Sequence, residues 1–109
     1  PSWHFVDVYI VPLDVEAPCQ PLACSFDEEV HAQVFQGSVI DLSRYPQLRK
    51  MENYSEDAQY VGGDLPALIS ELTEAIPKCE PGVARVLTEF RGACEKAKAE
   101  GQAVYCLCD

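Results

Sequence analysis

The chain has 109 residues, 8 basic and 18 acidic, for a net charge of −10. Its hydrophobic content of 48% is that of a folded body and too high for a disordered acidic tail. Such an excess of carboxylates argues against nucleic acid as a direct partner, because phosphate binding needs clustered Lys and Arg, and anionic membrane surfaces are disfavoured for the same reason.

The length fits one domain, spanning residues 1–109, with one core. No apolar run approaches the roughly 18 residues of a membrane span. Pro1–Phe5 has no basic n-region and Asp7 follows, so no signal peptide is expected. A cytoplasmic protein with its six cysteines reduced is the resulting expectation. The charge is also unevenly placed. No Lys or Arg occurs from Pro1 to Ser43 or from Met51 to Pro77, and these stretches hold 7 and 6 carboxylates. Self-repulsion of this kind opposes compaction, so solubility or a positively charged partner is the simplest reason for it.

Trp3 to Leu13 reads as a strand, with Val6, Val8 and Ile10 on one face and Phe5, Asp7, Tyr9 and Val11 on the other. Pro12, Pro18 and Pro21 then break regular structure, and residues 14–24 form a loop. Ser25 and Glu28 fit a capping box opening a helix to about Gln36, with Gly37 as its stop. Val30, Ala32 and Val34 also alternate as a strand would, but helix is the preferred reading. Pro46 suits the first turn of a short helix to about Glu52. Ala58 to Val61 is a short strand ended by Gly62-Gly63, with Asp64 placed to cap the next helix. Leu65, Leu68, Ile69, Leu72, Ala75 and Ile76 give that helix a 3.6-residue period, and Pro77 stops it. Pro81 opens a further helix, with Val83, Val86, Leu87, Phe90, Ala93, Cys94 and Ala97 on one stripe and Gly101 as its end. Gln102 to Leu107 is a closing strand. The fold class is α+β: a small sheet of about three strands, including the first and last segments of the chain, covered by about four helices.

Catalytic signals are weak, and neither a catalytic residue nor a cofactor is assigned. Gly62-Gly63 lacks a following Lys, and Asp64 and Pro66 spoil a phosphate cradle. Cys24 before a helix start with His31 nearby invites a thiol–imidazole reading, but Asp27, Glu28 and Glu29 oppose a thiolate there. Cys19-x4-Cys24 and Cys106-x-Cys108 would converge on zinc if the first and last strands were neighbours. Core thiols are the preferred reading, so no metal ligand is assigned.

Residues 52–64 stand out as a segment that mixes carboxylates with rigid aromatics: Glu52, Tyr54, Glu56, Asp57, Tyr60 and Asp64. Tyrosine is favoured at interface hot spots, and carboxylates steer basic partners. Tyr54 and Tyr60 serve equally well as packing anchors. Asp27, Glu28 and Glu29 form the rival acidic surface.

The stretch Asp41-Leu-Ser-Arg-Tyr-Pro-Gln-Leu48, then Asn53-Tyr-Ser-Glu-Asp-Ala58 and Gly63-Asp-Leu-Pro-Ala-Leu-Ile-Ser-Glu-Leu72, leads into an amphipathic helix and a terminal Ala-Val-Tyr-Cys-Leu-Cys-Asp strand. Over residues 39–109 this pattern resembles small immunity proteins of bacterial polymorphic-toxin and contact-dependent inhibition systems. The resemblance implies a cytoplasmic, non-enzymatic protein that binds the C-terminal domain of one cognate toxin, often a basic nuclease, and blocks it. It implies no role for any particular residue. The alternatives are a small metal-binding or enzymatic domain using the cysteines, and an acidic adaptor for another basic protein.

Overall fold

The computed structural model describes residues 5–13, 22–37, 39–52 and 56–108. Four strands form one antiparallel sheet: β1 (Phe5–Val11), β2 (Cys24–Asp27), β3 (Ala58–Tyr60) and β4 (Ala103–Cys108), in the order β2-β1-β4-β3. Three α-helices accompany it: α1 (Glu28–Phe35), α2 (Asp64–Ala75) and α3 (Pro81–Ala99). The first and last strands are direct neighbours, with Val6 opposite Cys108 and Val11 opposite Ala103. The chain is therefore α+β, as the alternating and helical periods require.

One sheet face carries the core. Val6, Val8, Cys24, Phe26, Ala58, Tyr60, Val104 and Cys106 are buried there against Leu68, Leu72, Leu87 and Phe90. Phe90 is the hub, meeting Phe26 edge-on at 5.4 Å and Tyr60 at 6.4 Å between ring centroids. Edge-to-face contact suits the ring quadrupoles and adds to the area buried. α2 buries Leu65, Leu68, Leu72 and Ala75, and α3 buries Val83, Leu87, Phe90, Cys94 and Ala97. Both stripes recur at three- and four-residue steps, so one side of each helix faces the sheet. α3 ends in a Schellman turn: Gly101 adopts φ +66°, Gln102 N–H reaches Ala97 O at 2.8 Å, and Gly101 N–H reaches Lys98 O at 3.3 Å.

Several local expectations are corrected. Ser25 does not cap α1. It lies within β2, and Asp27 is the N-cap, accepting from Val30 N–H at 2.8 Å. The sheet thus gains a strand that the capping-box pattern concealed. Pro46 opens no α-helix; the chain winds as 3₁₀ turns at Leu42–Arg44 and Leu48–Met51. Gly63, not Asp64, holds the N-cap position of α2, and Asp64 is its first residue. The stop expected at Pro77 holds: α2 ends at Ala75, and Pro77 sits in a 3₁₀ turn, Ile76–Lys78, that tightens its end. Among the described residues no helix is long and apolar enough to cross a membrane.

Candidate functional site

The sheet register brings the two acidic segments to the same end of the sheet. Asp27 is opposite Phe5 at the start of β1, while Ala58 is opposite Cys106 and so only a few residues further along. β2 and β3 are the two edges of the sheet. Three strand spacings separate them, about 14 Å. Their supporting elements are also joined directly. His31 of α1 is fully buried, and its Nε2 lies 2.7 Å from Met51 O. A carbonyl only accepts, so that nitrogen carries the proton and donates. Burial pushes the His31 pKa down and keeps the ring neutral. His31 is thus a structural tie between α1 and the 3₁₀ turn that leads to Glu52.

The carboxylates of the two acidic segments have different jobs. Asp27 is committed to capping α1, and Glu28 and Glu29 occupy its first turn, where the helix dipole favours negative charge. Glu29 also accepts from the Gln33 side chain at 3.4 Å. Glu52, Glu56 and Asp57 are exposed and lie at no α-helix N-terminus. Asp64 is half-buried and locally neutralised: it accepts from Val61 N–H at 3.3 Å and pairs with Lys50 at 3.5 Å.

The aromatic partners differ from those expected. Tyr60 is fully buried and donates its hydroxyl to Gln47 O at 2.6 Å, so it is a packing anchor and cannot touch a partner. Burial also pushes its phenol pKa up. Tyr54 lies outside the described residues. In their place stands Tyr105, which donates to Asp57 Oδ2 at 2.7 Å. Across the strands Tyr9, Tyr105 and Gln59 form one row, and Ser25, Asp7 and Leu107 form the next. Directly opposed residues project from the same face, here the one turned away from the core. Tyr9, Tyr105, Asp7 and Leu107 are half-buried, whereas Val11 and Ala103 at the far end of that face are fully buried. The accessible part is therefore the Asp7–Tyr105–Asp57 end, with Glu56 adjacent to Asp57 in the chain. The mixed polarity of the first strand was the signal for Asp7 and Tyr9. Tyr105 required the pairing of β4 with β3.

Among the described residues the cysteine side chains take no part in this surface. Cys24, Cys94 and Cys106 are buried and in no disulfide. Burial pushes Cys24 up to about 12, with Glu89 adding to it, and pushes Cys94 likewise to about 12. A thiol held there stays protonated at neutral pH and is a poor nucleophile. Cys24 and Cys106 flank Val8 on the inner sheet face. Cys19 and the side chain of Cys108 lie outside the described residues. Among the described residues no three His, Cys, Asp or Glu side chains gather as a metal site.

No family model matches the chain, nor does any curated protein or solved structure. The surface must be read from its own chemistry: exposed carboxylates beside half-buried tyrosines on a sheet floor, at the end of the molecule where two acidic segments meet.

Proposed function

We propose that this protein is a cytoplasmic immunity protein that binds and neutralises a cognate, basic toxin domain, a nuclease in the simplest case. The observation that carries the reading is the segregation of its carboxylates. Glu52, Glu56 and Asp57 are exposed, with Asp57 accepting from Tyr105, while Asp64 and its neighbours on α2 are engaged within the fold. Exposed charge accelerates encounter with an oppositely charged partner, and a rigid tyrosine supplies contact area at low entropic cost. A footprint of about 800 Å² per partner is nearly 30 Å across, so it covers both the Glu56–Asp57 and the Asp27–Glu29 edges. The protein acts by occupying the toxin rather than by chemistry of its own, and it needs neither cofactor nor metal.

The decisive experiment co-expresses the chain with the C-terminal domain of a toxin encoded immediately upstream of its gene. Rescue of growth, together with a complex on size-exclusion chromatography, is expected. Absence of both rules the reading out. Association should also slow as salt rises, chiefly through kon, because screening shortens the range of steering. A salt-independent kon contradicts the electrostatic part.

A further inference from the structure

We propose that a groove between the C-terminal end of α1 and the N-terminal end of α3 receives one aliphatic or aromatic anchor side chain from a basic segment of the protein partner. This deepens the binding reading above and rests on it only for the sign of the partner's charge. The groove is a cavity of about 280 Å³ with Ile40, Cys79 and Val83 in its lining and Val39, Gln33 and Glu80 around them. Ile40 and Val83 are buried and belong to the core, whereas Val39 is 59% exposed. An apolar lining continuous with the core and open to solvent is the form of a hot-spot pocket. Its volume falls just below the roughly 300–1,000 Å³ of small-molecule sites, which suits a side chain better than a cofactor.

Two features assign the chemistry of the occupant. Acidic groups stand on both sides. Glu80 lines the groove from the α3 side, and Glu29 reaches it through its hydrogen bond to Gln33, one turn along α1. An apolar side chain flanked by Lys or Arg satisfies the lining and both carboxylates at once, whereas an acidic flank meets repulsion. α1 also connects the groove to the acidic end of the sheet. Its eight residues span about 12 Å, so one partner surface can cover Glu28 at its start and the groove at its end.

The test uses three capped pentapeptides and the intact protein. The first has a central leucine between paired Lys and Arg residues, the second a central serine in the same basic frame, and the third a central leucine between glutamates. Binding is read from backbone amide shifts of Val39, Ile40, Cys79 and Val83. The basic leucine peptide should shift these signals and bind about tenfold or more tighter than its serine counterpart, reflecting one buried side chain. The acidic peptide should leave them unmoved. Val39→Ser, at an exposed position that folding does not depend on, should weaken the leucine peptide and leave the serine peptide unchanged. Equal affinity for leucine and serine, tight binding of the acidic peptide, or shifts confined to residues outside the groove would each overturn the proposal. No toxin is present, so this outcome is independent of the growth-rescue experiment.

Discussion

The acidic stretch from Met51 to Pro77 contains two regions of opposite character. In the α2 half the carboxylates serve the fold. Asp64 pairs with Lys50, Glu71 accepts from Gln47 and Leu48 N–H at 3.2 and 2.9 Å, and Glu74 meets Arg44 at 3.1 Å and Lys78 at 3.8 Å. In the first half, Glu52, Glu56 and Asp57 are exposed, and Asp57 is held by Tyr105. A run of like charges in sequence is therefore not one electrostatic feature. The basic residues just upstream, Arg44 and Lys50, reach forward to α2 and pair with Glu74 and Asp64 there.

The largest effect that separates the halves is on stability. Glu71 holds the first amides of the Leu48–Met51 turn, so Glu71→Ala should cost about 1–2 kcal/mol in denaturant unfolding. Partner kon should be almost unaffected, since one charge is lost from a region away from the contact. If the loss falls instead on kon with stability intact, the division of roles is wrong.

The converse substitution is Glu56→Lys with Asp57→Lys. Both this pair and Glu95→Lys with Glu100→Lys change the net charge from −10 to −6, so any difference between them reports position alone. The first pair should lower kon by about tenfold and cost up to about 2 kcal/mol of stability through the lost Asp57–Tyr105 bond. The second should lower kon far less. Equal losses would remove the 52–57 surface as a special one.

The contrast between the halves also explains how much of this surface was legible in the sequence. α2 and α3 follow from a sustained apolar period that needs no distant partner, and β1 and β4 from alternation. β2 was hidden because its four residues, Cys24–Asp27, end in the same short polar chemistry that starts a helix. Ser25 and Asp27 are both good caps, and only pairing with β1 decides between them. Tyr60 and Tyr105 show the same limit. A tyrosine can be buried only where its hydroxyl finds an acceptor, and the acceptors lie 13 and 48 residues away, at Gln47 O and Asp57. The acidity was visible; which acids the fold consumes was not.

His31 tests whether the two acidic edges are held as one surface. Its folded pKa is lowered from 6.5 by burial, so the unfolded chain binds the proton more readily. The stability contributed by the neutral ring is complete above pH 6.5 and is lost as pH falls through the lower folded value. Denaturant midpoints should drop between pH 7.5 and 5.5. In His31→Gln, whose amide can still donate to Met51 O, the drop should be smaller. An identical pH slope in both proteins would show that His31 is not the titrating tie.

The smallest expected effect lies at the seam between the two halves. Lys50 Nζ sits 3.5 Å from Asp64 and 4.9 Å from the centroid of the Tyr60 ring. Lys50→Met keeps the stem over the ring but removes the charge. Both members of the ion pair are about one-third exposed, so the stability change should be within about 0–1 kcal/mol and should shrink in high salt. The same substitution releases Asp64 from its cation and takes the net charge from −10 to −11. Asp64 should then add to the steering field, and kon at low salt should rise by a factor of about two or less. A fall in kon would mean that Lys50 itself contacts the partner. A stability loss as large as that of Glu71→Ala would move the seam, placing Asp64 wholly with the carboxylates that build the fold.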